Sequence, residues 1–149
     1  MPEAKVFLDT NIIIYIYDVS AKEKHEQARK LLVDLWDSGR GVLSTQVLQE
    51  FFVSVTQKIP QPLTLNMAKD IVSDLLRWEI VVNDGDSILE AIELHSRHKY
   101  SFWDSLIIQA AIKGGASLLL SEDLSGGQTI HGVAIKNPFK SPLPRFSEG

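Results

Sequence analysis

Short apolar runs alternate with longer stretches of helical periodicity along most of this chain, and that alternation restricts the fold more than any other feature. The run "KVFLDTNIIIY", residues 5–15, reads as a buried strand and its exit with Asp9 in its middle, and "GVLS", "EIVV", "ASLLLS" and "GVAIK" read as further strands, bounded by turn residues or by the start of a helical pattern. They are apolar on both faces instead of alternating with polar residues. Strands of that kind are covered on both sides, and helices between successive strands supply the crossovers that parallel pairing needs. The expected fold class is therefore α/β, a parallel sheet covered by helices.

The intervening segments carry helix signals. Ser20 with Glu23 three residues later matches a capping box, and Ala28, Leu31, Leu32 and Leu35 repeat at helical spacing until Gly39 stops the helix. "TQVLQEFFVSVTQKI" places Val47, Leu48, Phe51, Phe52 and Val55 on one face and ends at "PQP". Thr64 caps a third helix. Asp86 and Ser87 open a fourth, with Ser87 and Glu90 as a second capping box, and "FWDSLIIQAAIK" is a fifth, closed by Gly114 and Gly115. Residues 1–139 are expected to form one domain and residues 140–149 a proline-bearing tail. At 149 residues the chain can bury a core without staples.

Cysteine is absent, which excludes disulfides and thiolate metal sites. The N-terminal residues lack a basic region followed by a long apolar core, and no apolar run approaches the roughly 18 residues a membrane span needs. A cytoplasmic protein without membrane attachment is expected. A net charge of −4 argues, at first sight, against a polyanionic partner.

The position of the acids changes that reading. In open parallel sheets the ligand crevice lies outside the carboxyl ends of the strands. Asp9 ends the first strand, and Asp123 follows the strand from Ala116. Asp104 lies in the first turn of the helix preceding that strand, and Glu50 in the second turn of the helix after "GVLS". Taking 100° per residue, Glu50 falls about 130° from the centre of its helix's apolar face. Taken singly, each has a bland role. Asp104 fits a capping box with Ser101, Asp123 precedes a turn, Glu50 suits a solvated helix face, and Asn11 beside Asp9 can fix a turn. Converging, they repel. Two carboxylates about 5 Å apart repel by roughly 3 kcal/mol at an effective dielectric of 20, so a fold that gathers four needs cations. An all-oxygen donor set suits Mg²⁺ or Mn²⁺, and the chemistry implied is metal-assisted phosphoryl transfer. Setting the four acids aside leaves 15 carboxylates against 15 Lys and Arg, so the remaining surface is neutral and acidity does not exclude RNA.

Two further groups carry side chains capable of chemistry. His95 and His98 stand at helical spacing, but "HSRHK" ends a helix, where positive charge complements the dipole. Arg97, His98 and Lys99 are candidates for RNA phosphate contacts. Trp103, beside Asp104, is expected in the core, the alternative being a base-stacking platform.

The blocks "FLDTNIIIY", "LQEFF", "YSFWDSLII" and "LLLSEDL" resemble the PIN domain family in order and spacing, nearly end to end. Within that family the chain resembles the VapC-type toxins of bacterial toxin–antitoxin pairs. The resemblance implies a three-layer α/β/α sandwich around a parallel sheet and a Mg²⁺- or Mn²⁺-dependent ribonuclease. It also implies an acidic quartet at Asp9, Glu50, Asp104 and Asp123, with Asn11 and Ser121 supporting. Because Glu122 is acidic too, the fourth position is the least constrained. A homodimer and a small inhibitory antitoxin are likewise implied. The alternatives are a PIN nuclease that is not a toxin, an RNA-binding relative without turnover, and a phosphatase using Asp9 as nucleophile. The last wants a second aspartate two residues on, where Asn11 stands. Neither G-x-G-x-x-G nor G-x-x-x-x-G-K-[ST] occurs.

Overall fold

The computed structural model describes residues 4–124, 126–140 and 143–147. Its order is β1 (Lys5–Leu8), α1 (Thr10–Tyr17), a 3₁₀ turn (Val19–Ala21), α2 (Glu23–Ser38), β2 (Gly41–Ser44), α3 (Thr45–Gln57), α4 (Leu65–Leu75), β3 (Glu79–Val81), α5 (Gly85–Arg97), α6 (Phe102–Lys113), β4 (Ala116–Leu120), β5 (Thr129–Ile130) and β6 (Val133–Lys136). The strands form one sheet ordered β3-β2-β1-β4-β6-β5, parallel except for β5, which runs antiparallel to β6. This is the expected α/β class. The short β5 was not foreseen, since two residues give too little pattern to read.

Topology follows from the connections. From β1 the chain steps to β2 and on to β3 in one direction, then returns to place β4 on the other side of β1. With crossovers of the usual right hand, α1–α4 fall on one face of the sheet and α5 and α6 on the other. Packing agrees: α1 meets α2 and α3, α3 meets α4, α5 meets α6, and α6 lies on β2 and β4. The reversal of winding puts the switch point between β1 and β4. Val6, Phe7 and Leu8 of β1 and Leu119 and Leu120 of β4 are fully buried there.

The first helix corrects the strand-like reading of residues 5–15. Four residues of strand are followed by α1, which begins at once after Asp9 and buries Ile12, Ile13 and Ile16. β-Branched residues are indifferent helix formers, but burial on one face outweighs that small preference. Both expected capping boxes are also displaced. Asp18 caps the 3₁₀ turn, accepting from the Ser20 N–H, and α2 starts behind Lys22, which has a positive φ of 57°. Helix α5 starts two residues earlier than expected, capped by Asp84. Its carboxyl is held at about 2 by the Ser87 N–H and then by Lys113. The caps at Thr64 and Ser101 are as read, and Gly39 ends α2 in the left-handed conformation.

The C-terminal segment is docked. Both oxygens of Asp34 on α2 accept backbone N–H groups, from Phe146 at 2.6 Å and from Ser147 at 2.7 Å, and the Phe146 ring is buried in the core. Residues 141, 142, 148 and 149 of the expected tail lie outside the described residues. No helix among the described residues is long and apolar enough to cross a membrane.

Candidate active site

Asp9 terminates β1 and caps α1. Its backbone N–H donates to the Leu120 carbonyl at 3.0 Å, continuing the β1–β4 ladder, while its side chain turns toward the crevice. Oδ1 accepts the Thr10 N–H and Oδ2 accepts the Ser121 hydroxyl, each at 2.7 Å. The carboxylate in the apolar run is thus held by a helix start on one side and the next strand's exit on the other. Burial nevertheless pushes its pKa up to about 6, against the two hydrogen bonds, with Glu50 and Asp123 adding repulsion.

The other acids reach the same place from separate elements. Glu50, in the second turn of α3, accepts the Thr10 hydroxyl at 2.8 Å, so Thr10 ties two acids with one residue. Asp104 opens α6, its N–H donating to Ser101 Oγ at 3.1 Å. Asp123 follows β4. Its N–H donates to Ser121 Oγ at 3.3 Å, and one carboxylate oxygen accepts the Asn11 side-chain amide. All four carboxylates line one cleft of about 430 Å³ at the switch point. The bland cap at Asp104 and the shared cleft coexist, since the cap uses Ser101's side chain and leaves Asp104's own carboxylate to the cleft.

Glu122 and Asp123 differ in their neighbours. Glu122 is absent from the cleft lining and is taken up elsewhere, accepting from the Lys24 ammonium and the Tyr15 hydroxyl. Burial opposes its charge, but these donors hold its pKa below the usual carboxylate range. Tyr15 in turn is pushed up to about 12, by burial and then by its bond to Glu122.

The donor set fits a hard divalent cation: carboxylate, hydroxyl and amide oxygens with no thiolate or imidazole among the described residues of the lining, and an acid at Asp9 whose charge burial opposes. Among the described residues, no three acidic or histidine side chains stand close enough to hold one ion as they are. Thr10, Asn11 and Ser121 each hold one carboxylate, so coordination would require side chains to turn from these neutral partners toward a shared point.

The structure does not bring Arg97, His98 and Lys99 to this cleft. Arg97 pairs with Glu93 along α5 at 3.7 Å and lines a different depression, with His131 and Gln109. His95 Nδ1–H donates to the Tyr100 carbonyl, 2.6 Å away. Trp103 contradicts the core assignment, being 63% exposed at the rim of the acidic cleft. Among the lining residues that the sequence reading does not single out are Gln46, Ser54 and Lys58. Their steps of four from Glu50 share its helical face, and that spacing was the available signal.

A family model for the PIN domain matches residues 6–125. No curated protein matched the chain. Among solved structures, VapC20 of Mycobacterium tuberculosis, a sarcin-ricin loop cleaving toxin, is 19% identical with a TM-score of 0.59, over 77% of this chain and 87% of that one. A toxin–antitoxin complex from Klebsiella pneumoniae contains a chain 18% identical, with a TM-score of 0.63 over 87% of this chain and 96% of that one. DNA-bound VapBC from Salmonella typhimurium gives 19% identity and a TM-score of 0.63, over 90% and 98%. At these identities the structures testify to shared fold. With a family match spanning β1 to the turn after β4, and a cleft at that fold's switch point, the chain belongs to the PIN domain family.

Proposed function

We propose that this protein is a Mg²⁺- or Mn²⁺-dependent endoribonuclease, hydrolysing RNA phosphodiester bonds as the toxin of a toxin–antitoxin pair. The observation that carries the proposal is that four separate segments deliver Asp9, Glu50, Asp104 and Asp123 to one cleft. A fold gains nothing structural from gathering like charges. The family membership and the likeness to VapC20 and to two toxin–antitoxin complexes support it. A homodimer, implied by the resemblance in sequence, and a cytoplasmic location, expected from the cysteine-free composition, belong to the same proposal.

Asp9, Glu50 and Asp104 would hold the principal ion, with Asp123 supporting it or a second one. When bound, such an ion polarises phosphoryl oxygens and acidifies water at the site. The chain's own part is orientation. Ser121 and the Thr10 N–H fix both oxygens of Asp9, the Thr10 hydroxyl fixes Glu50, and Asn11 fixes Asp123. No side chain need attack phosphorus. The phosphatase alternative is weaker, because the residue two after Asp9 is an amide already donating to Asp123 and has no acidic proton to give. An antitoxin could quench the cleft by placing an Arg or Lys among the carboxylates.

The test is Mg²⁺-dependent cleavage of a panel of structured RNAs by the wild type and Asp104→Asn. Asparagine preserves shape but removes the charge a hard ion needs. Cleavage should fall by orders of magnitude with folding intact. Equal cleavage by the two proteins would sink the assignment.

A further inference from the structure

The cleft that holds Asp104 carries three features that metal binding does not use. The Trp103 side chain is 63% exposed, yet the ring is not loose: Phe102 meets it edge-on at 5.2 Å between centroids. Gln46, which is only 7% exposed, donates its amide N–H to the Trp103 carbonyl at 3.4 Å, bracing the backbone that carries the ring. The oxygen of that same amide is buried without a hydrogen-bond partner among the described residues, on a residue that lines the cleft. Buried acceptors of this kind cost stability unless a donor arrives with a ligand. Lys58 lines the same cleft from the end of α3, with no ion-pair partner among the described residues.

A flat aromatic face, an unfilled acceptor and a cation are the three contacts that a nucleotide takes: stacking on its base, a hydrogen bond to a base N–H, and a phosphate contact. We infer that Trp103, with Gln46 and Lys58, forms a subsite that holds one unpaired nucleotide of the substrate beside the scissile phosphodiester. This rests on the ribonuclease reading and adds to it a preference for single-stranded or looped RNA. Such a preference follows because a base can stack on an exposed ring only when it is out of a helix. A protein partner is the rival occupant. The unfilled acceptor and the free cation favour the nucleotide, since an apolar anchor from a partner would satisfy neither.

The experiment uses the full chain with Mg²⁺ and a fluorescently labelled single-stranded RNA oligonucleotide that it cleaves, together with copies of that oligonucleotide carrying one abasic residue at successive positions. Base–aromatic stacking is typically strong enough that Trp103→Ala should raise KM by about 5- to 150-fold, with kcat changed far less. Trp103→Phe should recover most of that loss. One abasic position flanking the cut should impair the wild type by a similar factor and the Trp103→Ala variant by about twofold or less, because the base and the ring are the two halves of one contact. The oligonucleotide should also quench part of the wild type's tryptophan fluorescence and none of the variant's. Cleavage by both proteins with equal KM and no abasic position distinguishing them overturns the subsite while leaving the nuclease reading intact. Unchanged RNA kinetics combined with weakened binding of the antitoxin would reassign the ring to a protein interface. Failure of the wild type to cleave any RNA overturns the nuclease reading first, and the subsite with it.

Discussion

Asp9→Asn should make the metal-free protein less stable in acid and more stable above neutrality. The Asp9 carboxyl has an ordinary pKa of 3.8 and one of about 6 in the fold, raised first by burial. A carboxyl raised on folding is ionised sooner in the unfolded chain. Stability is therefore fully present below an ordinary carboxyl pKa and is lost as pH rises through about 6. A shift of about 2 units at 1.36 kcal/mol each gives a loss of about 3 kcal/mol. Asparagine has no such slope, but it is not free of cost. It can still accept the Thr10 N–H, whereas its amide N–H₂ would face Ser121 Oγ, which already accepts from Asp123 and Leu124. Losing that bond costs about 1 kcal/mol at every pH. The variant should therefore be about 1 kcal/mol less stable than wild type near pH 3 and about 2 kcal/mol more stable near pH 8, crossing over near pH 4.5. Urea unfolding of both proteins across this range, in chelator, reads the difference directly, and titrations common to both cancel. A difference that stays constant within about 1 kcal/mol from acid to base would refute the claim that the fold carries an uncompensated charge at Asp9.

Further outcomes follow from the same geometry. Millimolar Mg²⁺ or Mn²⁺ should raise the wild type's melting temperature, since a ligand at 100 times its Kd adds about 2.7 kcal/mol, and should raise that of Asp9→Asn much less. Indifference of the wild type to both ions would mean that the four acids are not a shared site. Glu122→Gln should keep RNA cleavage because Lys24 and Tyr15 hold Glu122 away from the cleft, whereas Asp123→Asn should reduce it; the reverse order in a cleavage assay would exchange their roles. Phe146→Ala should destabilise by about 3 kcal/mol in urea unfolding if the C-terminal segment is part of the core, and by little if it is a tail.

What the sequence disclosed and what it hid differ in physical kind. Strand runs, the left-handed stop at Gly39 and the caps at Thr64 and Ser101 were legible because each is decided within a few residues by local hydrogen bonds or backbone sterics. Helix α1 was not, because its isoleucines follow tertiary burial against local preference. Asp84 displaced the expected box at Ser87 because capping selects one oxygen among several adjacent candidates, and Lys113, 29 residues away, takes part in that choice. The four acids could be placed at one crevice from topology alone. The ties that orient them could not, since Thr10 to Glu50 and Asn11 to Asp123 span 40 and 112 residues and leave no periodic trace. Trp103 was misplaced for a related reason: an aromatic next to a helix start looks like core until the neighbouring elements leave its face uncovered.

The pairing of β1 with β4 has a consequence for how this protein comes into being. Synthesis proceeds from the N-terminus, so β1, β2 and β3, which are neighbours in both chain and sheet, can associate with α1–α4 while the rest is still being added. The cleft cannot exist at that stage. Asp104 and Asp123 are supplied last, and Asp9 has its Ser121 partner only once β4 has inserted beside β1 across more than a hundred residues of intervening chain. On the proposed reading, the nascent chain would be inert until the last of the four acids has emerged and β4 has inserted beside β1. That long-range strand insertion would then mark the step by which the proposed restraining partner must be at hand.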